Sequence, residues 1–204
     1  NYPEGHVEWF EVPDFPHDPE RGGSRKVPFS REIYIEADDF MENPPSKYFR
    51  LSPGREVRLM NAYYIQYKDI VKDEDGNVVE IHVTYDPESR GGQSPDGRKV
   101  RGTIHWVCAK HAVEAETRLY EQMFLEKDPE DIPDDQDFLD HFNKDSLKVV
   151  QAKLEPALAD ARVGEVYQFV RDGYFTLDHV TSTPEKPVWI RTLSLVDSWA
   201  KMHK

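Results

Sequence analysis

The chain contains one cysteine, Cys108. That excludes an internal disulfide and fits a reducing compartment. Cys108 closes the apolar string Thr103-Ile-His-Trp-Val-Cys108, so a buried structural thiol is expected. No apolar run approaches the ~20 residues of a membrane span. The start, Asn1-Tyr-Pro-Glu-Gly5, lacks the basic and apolar regions of a secretory leader. An initiator methionine is also missing, so a fragment or a processed chain is expected. No G-x-x-x-x-G-K-[ST] loop and no G-x-G-x-x-G after a strand occur; Gly22-Gly23 and Gly91-Gly92 read as turn glycines. The eight histidines show no close H-x-x-x-H pairing, and there is no C-x-x-C, so a zinc site is not expected. His105 beside Trp106 reads as a packed strand histidine rather than a base. Asp38-Asp39 and Asp134-Asp135 read as solvated turn acids rather than the carboxylate pair of a glycosidase. No serine stands in a nucleophile elbow. Catalytic candidates are almost absent.

Positive charge is also scarce: 26 Lys and Arg face 39 Asp and Glu, for a net charge of −13. A nonspecific nucleic-acid binder needs cations for the phosphate backbone, and this balance argues against one. The charge is uneven, however. Residues 47–72 hold six Lys and Arg against two acids, a local +4, whereas residues 126–145 hold nine acids against two lysines, a local −7. A basic stretch on an acidic protein suits a selective site better than a general phosphate clamp.

That stretch contains Arg50, Arg55 and Arg58 among Tyr48, Phe49, Tyr63 and Tyr64. Residues 57–65 have strand composition, and Pro53-Gly54 marks a turn before them. Alternation along such a strand sets Arg58 with Met60 and Ala62, and Leu59, Asn61 and Tyr63 on the other face. Arginine beside aromatic rings is what single-stranded RNA recognition needs: guanidinium forks for base edges or phosphates, and rings for unpaired bases. The competing reading is a half-buried strand with solvated arginines.

Elsewhere the chain is a series of short strands and turns. Residues 27–35, 64–71, 78–85, 100–107, 147–154 and 187–196 read as strands, with Asp75-Gly76 as a hairpin signal. Residues 166–177 read as a hairpin around Asp172-Gly173. Residues 37–41 read as one helical turn, and residues 137–142 and 156–162 as short helices or turns. Many strands and little helix predict an all-β protein of sandwich or barrel type, two of them at this length, with the acidic connection as the seam.

Four strings, Val27-Pro-Phe-Ser-Arg-Glu-Ile-Tyr-Ile-Glu36, Gly54-Arg-Glu-Val-Arg-Leu-Met-Asn-Ala-Tyr63, Asp96–Val107 and Glu185–Leu193, resemble the C-terminal half of the glutaminyl-tRNA synthetase family. The likeness runs from Asn1 to Lys201. The related glutamyl-tRNA synthetases share this half and are the alternative within the family. A non-catalytic β-barrel interaction module is the alternative outside it, and a carbohydrate-active enzyme is a more distant one.

The resemblance implies two antiparallel β-barrels: residues 27–119 with 186–204, and residues 120–185. Residues 1–26 would be an extended lead-in from a catalytic half that is not here. It implies binding of the tRNA(Gln) anticodon stem-loop, a monomer, and a cytoplasmic location without a membrane. No cofactor is implied for this chain; ATP and Mg²⁺ would serve the parent enzyme's N-terminal catalytic domain, whose HIGH-like and KMSKS-like signatures are missing. By position, Arg50 resembles the arginine for the third anticodon base, Arg58 one for the first, and Gln168, followed by Arg171, one near the middle base. Lys47 and Asn61 complete the implied set. The chain departs from well-known members at Lys47, Phe49, Met60 and Val170.

Overall fold

The computed structural model describes residues 1–126, 128, 133 and 136–195. The chain forms two compact units: Asn1–Ala112 with Glu155–Ala157, and Val113–Leu154 with Leu158–Lys204.

The first unit contains β1 (Glu8–Pro13), β2 (Ser24–Phe29), β3 (Ile33–Tyr34), β4 (Glu56–Leu59), β5 (Tyr64–Lys72), β6 (Val78–Asp86), β7 (Thr103–Ile104) and β8 (Val107–Cys108). Four of these make a sheet in the order β6-β5-β4-β7; β1 pairs with β2, and β3 with β8. The β5–β6 hairpin turns where Asp75-Gly76 marked it, with the Gly76 amide donating to the Asp73 carbonyl. Alternation builds the core: Val57 and Leu59 of β4 are buried, and so are Phe10 and Val12 of β1. Phe29, Tyr63 and Trp106 pack edge-on or tilted around Phe10.

The second unit contains β9 (Val113–Tyr120), β10 (Leu147–Leu154), β11 (Tyr167–Phe169), β12 (Gly173–Leu177) and β13 (Val188–Leu193). They form one sheet in the order β10-β9-β13-β12-β11. Its core is Trp189 and Phe175, with Phe169 stacked on Phe175 at 4.2 Å between centroids.

The all-β class stands, with only short 3-10 turns such as Ala37–Asp39, Phe138–His141 and Pro156–Asp160 as helix. Several expectations change. The sheets are open rather than closed barrels, because β10 and β11 each pair on one side only, among the described residues. Two pairings, β4 with β7 and β13 with β9, are parallel. The expected strand over residues 57–65 is two strands, because Asn61 takes a left-handed φ of 59° and the Ala62 amide turns back to the Leu59 carbonyl. Alternation stops there, so Ala62 and Tyr63 are both buried. Residues 1–26, expected as an extended lead-in, contain β1 and the start of β2 and pack into the first unit: Tyr2 is buried, and Tyr2 and Tyr63 both donate their hydroxyls to Glu8. Residues 188–193 do not return to the first unit; they lie between β9 and β12, with Trp189 in the second core. β9, expected in the first barrel, is in the second unit's sheet as well. The remainder of the expected return, 196–204, and the pair Asp134-Asp135 lie outside the described residues.

Candidate nucleic-acid interface

The basic stretch folds as a loop, then β4. Tyr48 closes a turn onto the Pro45 carbonyl, and Leu51 forms a parallel bridge with Phe40. Ser52 and Leu51 are buried, and the Arg55 amide donates to the Ser52 carbonyl across the Pro53-Gly54 turn. This folding gathers Phe49, Arg50 and Arg55 with Arg101 and Gly102 around a hollow of about 250 Å³.

Gly102 makes the gathering feasible. A Cβ there would stand 2.2 Å from the Phe49 carbonyl oxygen, so only glycine lets the two backbones meet. The Gly102 carbonyl in turn accepts from the Arg58 amide at 2.8 Å. Arg101, one residue before, is thereby set beside Phe49, its guanidinium carbon 5.5 Å from the ring centroid.

Arg50 is not a freely solvated cation. Its Nη1 donates to Oδ1 of Asp39, whose side chain is fully buried. The adjacent acids Asp38-Asp39 are therefore not both solvated, and Asp39 is the buried anchor of this arginine. Arg55 donates to the Tyr48 carbonyl and pins the same loop.

Arg58 does not line the hollow. Its Nη2 donates to the Tyr64 hydroxyl at 3.2 Å, its guanidinium lies 5.4 Å from the Tyr64 ring, and its buried Nε makes no hydrogen bond. Arg98 flanks the same ring at 5.1 Å and pairs with Glu56, Asp86 and Asp96. That network fastens the 94–98 loop to β4 and β6. Lys47 is exposed on the loop before Tyr48, and Asn61 is exposed at the β4–β5 turn.

Gln168 and Arg171 belong to the second unit. Gln168 is exposed on β11 opposite Tyr174. Arg171 is at the hairpin turn, with φ 70° and a buried Nε. The hairpin closes tightly because Gly173 has no Cβ; one would come 2.3 Å from the Leu193 carbonyl oxygen.

The sequence reading passed over Arg98 and Arg101. The first unit also holds His105, with Nδ1 3.7 Å from Glu36 and Nε2 3.7 Å from Glu155. Burial disfavours the imidazolium, but the two carboxylates outweigh burial and raise its pKa to about 9. Burial likewise opposes ionisation of Glu155, and His105 and Arg25 overcome it, lowering its pKa to about 2. His105 is thus packed, as expected, and is clamped between two acids. Cys108 is buried as expected. Among the described residues, no helix is long and apolar enough to cross a membrane.

Two family descriptions match the chain. Both are the anticodon-binding domain of class I tRNA synthetases (E and Q), one over residues 1–86 and the other over residues 103–178. Proteins named glutamine–tRNA ligase are similar over almost all of it. The one from Clostridium kluyveri is 52% identical over 98% of this chain and 35% of its own length. The one from Nitrobacter hamburgensis is 50% identical over 99% and 35%, and that of Pseudomonas syringae pv. tomato is 48% identical over 98% and 35%. The chain spans about a third of the length of these relatives.

Proposed function

Because this chain belongs to the anticodon-binding domains of the class I tRNA synthetases for glutamate and glutamine, we propose that it grips the anticodon stem-loop of tRNA(Gln) on behalf of a glutamine–tRNA ligase. The observation that carries this reading is the hollow of the first unit, where three arginines meet the exposed ring of Phe49. Unpaired bases need both components: cations for phosphates and base edges, and rings for stacking. Glutamine is favoured over glutamate by the names of the similar proteins.

Within this reading Arg50 serves the third anticodon base, and its bond to Asp39 fixes its direction. Arg58, Lys47 and Asn61 act from the same unit, and Gln168 and Arg171 from the other. Arg58 has to leave Tyr64 to reach RNA, so it ranks behind Arg50. Ligation itself, with ATP and Mg²⁺, belongs to a catalytic domain of the whole enzyme, which works in the cytoplasm as a monomer. On this reading the present chain alone has no glutamine-dependent ATP–pyrophosphate exchange, and measurable exchange by pure chain would sink that part.

Equilibrium competition tests the central reading. A stem-loop with a glutamine anticodon is expected to displace a labelled copy at least ten-fold better than loops with a glutamate or an unrelated anticodon, a preference of about 1.4 kcal/mol. Equal competition by all three would contradict it, and a glutamate loop that wins would move the assignment to the glutamyl enzymes.

A further inference from the structure

Two of the three arginines in the hollow are already engaged by the protein. Arg50 is held by Asp39, and Arg55 by the Tyr48 carbonyl. Arg101 differs. It is exposed, and its contact among the described residues is with the Phe49 ring, at 5.5 Å. Phe49 is itself 45% exposed, on the rim of a hollow, although nothing in the core requires a large ring there. Gly102 holds the pair together, since any side chain at that position would strike the Phe49 backbone.

We infer that Phe49 and Arg101 form a clip for one unpaired nucleotide, the ring taking the base and the guanidinium its phosphate. This rests on the anticodon-binding reading and names two residues as affinity determinants of the same site. The division of labour follows from chemistry. Phenylalanine offers no hydrogen bond, so it can contribute only a face, and stacking tolerates every base. The Arg101 guanidinium keeps its N–H fork while lying near the ring, and such a fork matches phosphate oxygens. The clip therefore contributes affinity without base preference, whereas the arginine fixed by Asp39 has the rigidity that base reading needs.

The test uses the 204-residue chain and a glutamine anticodon stem-loop, with binding isotherms between 50 and 200 mM salt. Arg101→Ala is expected to weaken binding about ten-fold, equally for the cognate loop and for loops changed at one base, and to lower the slope of log K against log salt by about 0.7. Arg101→Lys should retain the slope. Phe49→Leu should weaken binding about ten-fold with the slope unchanged. Unchanged binding in Arg101→Ala or in Phe49→Leu, with wild type binding normally, would overturn the clip alone. A loss in Arg101→Ala confined to one base identity would overturn the phosphate assignment. Failure of wild type to bind the stem-loop better than a hairpin of scrambled loop would remove the anticodon reading, and the clip with it.

Discussion

Arg50 carries two duties, and they must be separated before its role in RNA binding is measured. Its guanidinium compensates the buried carboxylate of Asp39. Removing one partner of such a pair leaves a buried charge uncompensated, which costs about 3–5 kcal/mol in dry sites. Arg50 itself is 37% exposed on its side chain, and solvent screening reduces the expected cost to about 1–3 kcal/mol. Urea unfolding of Arg50→Ala should show that loss, and adding Asp39→Asn should recover a large part of it. Additive losses in the double variant would show that the pair does not hold the loop. Arg50→Ala is therefore a poor probe of base contact by itself; the same variant in an Asp39→Asn background isolates the RNA term. Asp39 was not legible from the sequence, where it stands beside Asp38 in a helical turn, and nothing local separates the buried acid from the solvated one. Only the bridge between Phe40 and Leu51, eleven residues apart, sets Asp39 against Arg50.

At the scale of elements, turns were more legible than strand ends. Asp75-Gly76 announced its hairpin, since glycine supplies the backbone angles that tight turns demand; the second hairpin turns just before Asp172-Gly173, with Arg171 in the left-handed region and Gly173 already paired with Phe169. The organising stretch was legible as β-structure but not as two strands. Asn61 is one of the few side chains that tolerate a left-handed φ, and the apolar run on both sides of it disguised the break. Arg101 was missed because its relevance depends on Gly102, whose importance is visible only once the Phe49 carbonyl lies against it. Gly102→Ala should push β7 from the loop, costing about 1–3 kcal/mol by overpacking and weakening stem-loop binding more than it lowers thermal stability would explain. Normal binding in a folded Gly102→Ala chain would show that the close approach is dispensable. The segment between β7 and β8 also sets a pH dependence. His105 has an ordinary pKa of 6.5 and a folded value of about 9, so its stabilising contribution is complete below 6.5 and is lost as pH rises through 9. Glu155 runs oppositely: its contribution is present above 4.5 and is lost as pH falls toward 2. An imidazole NMR titration should find the His105 midpoint near 9, and His105→Gln should flatten the alkaline fall of the first unit's stability. A midpoint near 6.5 would mean that Glu36 and Glu155 do not clamp the ring.

At the scale of the whole molecule, the all-β class followed from composition and turn spacing, whereas the division between the units falls at Ala112/Val113 and Leu154/Glu155 rather than in the acidic connection. The partition of strands was not legible either, because Val188–Leu193 is compatible with either core by its apolar pattern, and only the burial of Trp189 decides. Net charge has a consequence for binding. With −13 overall, RNA is attracted only where cations are concentrated, so few phosphates are neutralised. With the three arginines of the hollow, Arg58, Arg171 and Lys47 as the cations, at about 0.7 per single-stranded contact, the salt slope of stem-loop binding should stay below about 5 in magnitude. A slope near that of a general RNA binder with eight or more contacts would contradict a compact site. The most direct measurement of the central claim is NMR chemical-shift mapping of the ¹⁵N-labelled chain with a glutamine anticodon stem-loop. The amides of Phe49, Arg50 and Gly102 and the Nε–H groups of Arg55 and Arg101 should shift saturably, while the partly buried Arg118–Asp178 pair of the second unit stays put. Shifts that leave the hollow untouched and gather elsewhere would show that the anticodon is read by another surface.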